Sequence, residues 1–395
     1  MSEIAHIPQL RFPEFGDNWE EKKLGNVTSI VMGQSPDSTS YNSNGIGLYL
    51  IQGNADIKKR KTLPRVWTDT PTKECKVGDI IMTVRAPVGA VAKSIHNACI
   101  GRGVCAIRNN QHSVSNYIYQ FLLSFEKKWV KFEQGSTFTA VNTKDVKSLK
   151  LILPPVQEQT KIAAFLTAVD NKIEQLSKKQ ELLGEYKKGL TQQIFSQAIR
   201  FKAGDGSDFP DWEEKKLGDV FEIKAGQSKS KHIKKDGKNI IVDMGGISSE
   251  PKLVAKKLTD YDDDFLTTND LVMPKDDIGG GLIIGKVAEI PENNKYICGD
   301  HIYKLTVVNG NITFLKYAIN SYQVNKSFRQ KANGTAQIGL SRKEVENQLL
   351  SFPSLKEQTK IANFLSSIDS KIEQVGKQLN ESKQFKKALL QQMFV

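Results

Sequence analysis

Two long stretches carry apolar residues in an alternating four-three rhythm. In the first, the positions are Ile162, Leu166, Val169, Ile173, Leu176, Gln180, Leu183, Lys187, Leu190 and Ile194. In the second they are Ile361, Leu365, Ile368, Ile372, Val375, Leu379, Ser382, Lys386, Leu389 and Met393. A rhythm held over more than four heptads predicts coiled-coil seams, because 3.5 residues per step keeps one stripe facing a partner helix. Pro154, Pro155 and Pro353 stand where a helix start tolerates proline. Each helix is expected to be roughly 60 Å long at about 1.5 Å per residue. Between these stretches the apolar runs are short, β-branched and bounded by Gly, Pro, Asn and Asp. Leu48–Ile51, Asp79–Val84, Leu271–Pro274 and Leu282–Val287 are predicted strands.

The pattern is written twice. WEEKKLG stands at Trp19–Gly25 and again at Trp212–Gly218, and EQTKIA at Glu158–Ala163 and Glu357–Ala362. A Gly-Ser/Thr turn (GSTFTAVNTKDV from Gly135, GTAQIGLSRKEV from Gly334) and a Pro-marked boundary (LPPVQEQ from Leu153, FPSLKEQ from Phe352) complete each copy. The two seams are expected to pair with each other within one chain and antiparallel. A parallel, in-register pair sets Lys187 against Lys386, whereas antiparallel packing sends the two lysines to opposite ends. A homodimer through the same seams is the alternative. QQIFSQAIRF continues past the first helix, while the second stops at QQMFV and LRFPEF stands near the N-terminus. The repeat is thus closed like a ring cut once, and the termini are expected to be neighbours.

Composition narrows the class. The length of 395 residues allows two or three domains. A formal net charge of +12 points to an anionic partner, most simply nucleic acid; the alternative is a set of lysines that only solvate the surface. Cys75, Cys99, Cys105 and Cys298 form no CxxC pair, so disulfides and a zinc site are not expected and a reducing cytoplasm fits. No apolar run approaches a membrane span and the N-terminal residues do not read as a signal peptide, so a cytoplasmic location without membrane contact is expected.

The centres of the two halves diverge while their framing repeats, as in a scaffold that presents two different readers. In the first centre, GNADIKKRKTLPR places Lys58, Lys59, Arg60, Lys61 and Arg65 about a turn. Arg85 (VRAPVG) and Arg102 (IGRG) lie on predicted loops. Arginine there can take guanine O6 and N7 in a bidentate contact, while the lysines suit phosphate. In the second centre the basic loop KAGQSKSKHIKKDGK carries Lys229, Lys231, Lys234 and Lys235, and Lys275 follows a predicted strand. Gln34 and Gln227 fall at matching places after the two WEEKKLG blocks. Each can pair with adenine or stabilise a turn. The acidic run Asp260, Asp262, Asp263 and Asp264 is expected on an outer face.

Catalytic motifs are decoys. GGGLIIGKV contains GxxxxGK, but Val287 occupies the Ser/Thr position and the segment reads as a strand. LPPV lacks the polar residue before and the aromatic after that an amino-methyltransferase motif needs. His6, His96, His112, His232 and His301 show no metal or triad spacing.

The paired WEEKKLG blocks, the paired P-x-x-x-EQTKIA helices and the divergent centres resemble the DNA-specificity subunit of Type I restriction–modification systems. The resemblance implies an α+β chain with two mixed α/β target recognition domains (about Leu10–Leu153 and Asp208–Phe352) and two spacer helices. In full the division is 1–153, 154–199, 200–352 and 353–395. It implies a non-catalytic subunit that reads an asymmetric bipartite site in double-stranded DNA. It further implies partners: two modification subunits that methylate adenine and dock on the spacer helices, and restriction subunits with an ATP-driven motor and nuclease. S-adenosylmethionine, ATP and Mg belong to those partners, and no cofactor is expected on this chain. A spacer helix longer by one heptad adds about 10 Å, roughly three base pairs. A single-chain DNA-modifying enzyme and a non-DNA helical scaffold are the competing readings.

Overall fold

The structure, a computed structural model, describes residues 7–134, 141–334 and 337–395. His6, the first half of the first Gly-Ser/Thr turn and two residues of the second lie outside the described residues. The chain divides into two compact units, one of residues through Lys178 with Gly376–Val395, the other of Lys179–Val375.

In the first unit a six-stranded sheet runs in the order Thr28–Met32, Val104–Asn109, Ile80–Thr83, Val91–Lys93, Lys61–Thr62, Ile57–Lys58. A five-stranded sheet contains Leu48–Ile51 beside Ala98–Ile100. The period-two alternation of strand side chains explains why the central strands are apolar throughout. Ile80, Met82, Cys105 and Ile107 point into one core with Tyr117, Ile118 and Leu122 of the helix Ser115–Gln134. Ile81, Val104 and Ala106 point the other way, into a second core with Ile51 and Ile100. The second unit repeats this plan. Its four-stranded sheet is ordered Phe221–Ala225, Ile302–Val307, Asp270–Pro274, Ala288–Glu289, and a three-stranded sheet holds Asn239–Val242. Leu271 and Met273 face one core and Val272 the other.

The heptad stretches are helices Val156–Phe195 and Leu355–Gln392. Each gives its beginning to one unit and its remainder to the other, and within each unit the two segments run antiparallel. In the first unit Ile162 and Leu166 share a core with Leu389 and Met393. In the second, Ile194 and Phe195 share one with Ile361 and Leu365. The seam lysines each meet an aspartate, Lys386 Nζ to Asp170 Oδ1 at 2.5 Å and Lys187 Nζ to Asp369 Oδ1 at 2.6 Å. The same aspartates hold the domain helices, accepting from Gln120 Nε2 at 2.7 Å and from the Tyr317 hydroxyl at 2.5 Å. Leu10 and the end of the second long helix are neighbours within the first unit, where the Leu10 N–H donates to Gln392 O at 2.9 Å. Phe12 stacks edge-on against Phe165 there, as Phe201 does against Phe364 in the second unit.

One predicted strand is absent: Leu282–Val287 is a loop. Gly280, Gly281 and Gly285 have φ of 79°, 81° and 69°, a left-handed backbone that a strand excludes. The loop's polar backbone is satisfied by side chains instead of a ladder, as in the Val287 N–H to Asn320 Oδ1 bond of 3.0 Å and the Asn325 Nδ2 to Ile284 O bond of 2.9 Å. The apolar residues that imitated a strand, Ile284 and Val287, are buried.

Candidate nucleic-acid interface

The repeated motifs build one clamp in each unit. Glu158, at 0% exposure, accepts from Arg11 Nε and Nη2, both at 2.8 Å, and from Trp19 Nε1 at 3.1 Å. Glu357 accepts from Arg200 Nε at 3.3 Å, Arg200 Nη2 at 2.9 Å and Trp212 Nε1 at 3.1 Å. The carboxylate holds each guanidinium above its ordinary pKa, chiefly through these hydrogen bonds. The glutamine that follows caps a second junction. Gln159 accepts the Val114 N–H at 2.9 Å and donates to Pro154 O at 2.8 Å; Gln358 does the same with Asn311 and Pro353, both at 2.8 Å. The EEKK residues of WEEKKLG pair antiparallel with Lys150–Leu153 and with Leu349–Phe352. Sequence repetition therefore marks the joint between each long helix and its sheet domain.

From that joint each half of the chain enters a sheet and leaves it at a glycine-glutamine corner. Gly33 N–H donates to Val104 O at 3.0 Å and Gly226 N–H to Ile302 O at 2.9 Å. Any Cβ at Gly33 meets the carbonyl of Gly101, and at Gly226 that of Gly299, so only glycine fits. The corner beside them is also matched: Gly101 N–H donates to Ile51 O at 2.8 Å, and Gly299 N–H to Val242 O at 2.9 Å. Gln34 and Gln227, whose side chains are exposed, thus occupy equivalent places. Arg102 stands exposed beside Gln34, its N–H bonded to Ser35 Oγ at 3.1 Å. At the equivalent corner of the second unit, His301 Nδ1 lies 2.7 Å from Asp276 Oδ2. Arg85 is exposed on the loop entered from Val84, whose N–H donates to Gly103 O at 2.9 Å. Gln34, Arg85 and Arg102 are accordingly brought to one end of the first unit. Lys275, half-buried, donates its N–H to His301 O at 2.8 Å and sits at the same end of the second unit as Gln227.

The other candidates divide by their partners. Lys58 and Lys59 are exposed on a tight turn. Arg60 is bound bidentate by Glu126 and also donates to Val91 O at 3.1 Å, which ties the turn to the domain helix. Lys61 reaches Glu174 at 2.6 Å, and Arg65 reaches Asp56 at 3.3 Å. In the second unit Lys231 and Lys235 are exposed, while Lys234 pairs with Asp260. Lys229 is 7% exposed in its side chain, lies 4.6 Å from the Tyr261 ring and 3.5 Å from Asp264. The acidic run therefore neutralises part of the basic loop, with Asp262 and Asp263 left exposed.

GGGLIIGKV opens no helix, and burial lowers the Lys286 ammonium below its ordinary pKa, with Arg329 adding to the effect. All four cysteines are buried free thiols; burial pushes Cys105 and Cys298 up to about 12. Among the described residues no group of His, Cys, Asp and Glu is arranged to hold a metal ion, and no helix is long and apolar enough to cross a membrane.

The two units thus define a duplicated architecture, with the same clamp in each and a sheet domain whose corner differs between them. The Type I restriction modification DNA specificity domain matches the chain twice, over residues 16–183 and 210–383, and the chain belongs to that family. Among its relatives in Methanocaldococcus jannaschii, the "Putative type I restriction enzyme MjaX specificity subunit" is 37% identical over 204 residues, 51% of this chain. That match spans 46% of the relative, about half its length. The MjaVIII specificity subunit is 24% identical over 415 residues, covering 96% of this chain and 92% of that one. Among solved structures, the S subunit of a Type I restriction–modification system from M. genitalium shares the fold at a TM-score of 0.66 and 17% identity, covering 98% of this chain and 99% of that one. A chain from a structure of type I R-M complex assembly shares it at 0.56 and 18%, covering 94% and 96%.

Proposed function

We propose that this chain is the specificity subunit of a Type I restriction–modification complex, in which each compact unit reads one half of an asymmetric bipartite site in duplex DNA. The observation that supports it most directly is the correspondence between the two family matches and the two units, each with the same clamp but a different corner. Identical clamps give identical attachment; corners with Arg85 and Arg102 in one unit and Lys275 and His301 in the other recognise different base edges. Two modification subunits dock on the long helices and methylate adenine, and restriction subunits supply cleavage. S-adenosylmethionine, ATP and Mg are bound by those partners.

Mapping methyladenine across a genome, with this chain expressed alongside its modification subunit, tests the reading. The expected result is one bipartite motif that disappears when the chain is deleted. Exchanging residues 1–153 for those of another family member is expected to change one half of the motif only. Simultaneous change of both halves refutes independent reading, and methyl transfer by the purified chain alone refutes the non-catalytic assignment.

A further inference from the structure

The loop that imitated a strand has a second property: it exposes aliphatic side chains on a rigid frame. Asp277 is 4% exposed, and its carboxylate accepts the Gly279 N–H at 2.6 Å and the Ile283 N–H at 3.1 Å. The loop's base is pinned by the pairing of Asp276–Asp277 with Ile338–Gly339 and by the helix Tyr322–Lys331, whose Asn325 bonds Ile284 O and whose Phe328 fills the space beside Gly285. On this frame Ile278 is 69% exposed and Leu282 57%. The loop's buried aliphatics are Ile284 and Val287, so Ile278 and Leu282 are the ones it presents to solvent.

The surroundings identify the partner's chemistry. The supporting helix presents Tyr322 (71% exposed) and two exposed cations, Lys326 and Arg329, at i, i+4 and i+7 on one face. Asp276 is occupied by His301 and Asp277 by the loop's own amides, so the acidic residues at the base are engaged. Exposed cations on the helix that holds the base of an apolar loop are complementary to a phosphate backbone with base edges next to it. The loop also leaves the sheet at the place where Arg85 stands in the first unit. Val84 donates to Gly103 O and accepts from the Val141 N–H; Lys275 donates to His301 O and accepts from the Leu340 N–H. Gly89 packs against Trp129 as Gly285 does against Phe328. The equivalent loops thus differ in chemistry, cationic in one unit and aliphatic in the other.

We infer that Ile278 and Leu282 read thymine in the half-site of the second unit, by contact with its 5-methyl group in the major groove, while Lys326 and Arg329 hold the adjoining phosphates. The only apolar feature of a base pair's major-groove edge is that methyl, so an aliphatic tip discriminates there and an arginine at the equivalent place discriminates guanine. This rests on the specificity-subunit reading. It adds to Lys275 and His301 two further residues of the second unit that choose a base, and which base they choose.

The test uses the complex with its modification subunit and the bipartite motif mapped above; domain exchange assigns one half-site to the second unit. Each thymine of that half-site is replaced in turn by deoxyuridine, which removes only the methyl, and affinity is measured by fluorescence anisotropy. At one or two positions the wild type is expected to bind uracil about fourfold more weakly, the ratio for burying one methyl-sized group. Ile278→Ala and Leu282→Ala, at exposed positions and with thermal transitions matched to wild type, are expected to bind the thymine site more weakly and to lose the uracil effect. Lys326→Gln is expected to weaken thymine and uracil sites equally and to lower the salt dependence. A second half-site without thymine, a wild type indifferent to uracil, or alanine variants still sensitive to it each overturns the inference, although the bipartite motif is still bound. Absence of any bipartite motif overturns the specificity-subunit reading instead.

Discussion

Replacing Glu158 by alanine probes the clamp that the repeated EQTKIA motif builds. The substitution removes a carboxylate at 0% exposure that receives three donors, and it leaves Arg11, 12% exposed in its side chain, without its anion. Breaking a buried pair from one side costs about 3–5 kcal/mol, because the remaining charge stays desolvated. Arg11 keeps one bond, to Asp17 O at 2.6 Å, which places the expected loss at about 3 kcal/mol, the lower end of that range. For a unit of this size about 1 kcal/mol moves the midpoint by roughly 2–4 °C, so the first unit is expected to melt about 6–12 °C lower. Differential scanning calorimetry of the full chain measures this, with Glu357→Ala as the matching change in the second unit. Arg11→Met combined with Glu158→Leu removes both charges and is expected to recover much of the loss, because no buried ion is left unpaired. A shift below about 2 °C for Glu158→Ala, or a double variant no more stable than the single one, refutes the clamp as the source of stability.

Three further outcomes follow from the same geometry. A double-mutant cycle on Asp170→Asn and Lys386→Met is expected to give a coupling of about 1 kcal/mol, discounted for the partial exposure of the carboxylate; zero coupling removes the lysine–aspartate pair from the antiparallel seam. Burial raises the Cys105 and Cys298 thiols to about 12, so their thiolates are absent well below that pH in the folded chain. Iodoacetamide at pH 8 is expected to alkylate them only in denaturant, and mass spectrometry of native labelling checks it. Arg85→Ala is expected to reduce discrimination at one base pair by about 1–3 kcal/mol while non-specific binding changes little. A uniform loss across DNA sequences, measured in competition assays, assigns Arg85 to phosphate instead.

Several features were legible before any coordinates because they follow from local periodicity or from comparing one half with the other. The four-three rhythm specifies a long helix whatever surrounds it, and the like-charged lysines at Lys187 and Lys386 select antiparallel pairing. Repetition alone placed Gln34 and Gln227 at equivalent corners and made neighbours of Leu10 and Gln392.

What depended on tertiary structure is which polar groups meet across long separations. Lys229 reads as a solvated phosphate ligand in a lysine-rich loop, yet Tyr261 and Asp264 enclose it; Arg60 reads likewise, yet Glu126 of the domain helix binds it. The apolar run Leu282–Val287 has strand composition, but a buried Asp277 and glycines at positive φ make it a loop with its aliphatic tip in water. Local composition determines which conformations a segment tolerates. Whether a charge is spent inside the fold or left for a partner is set by the residue that folding brings opposite it, and chain spacing carries no record of that encounter.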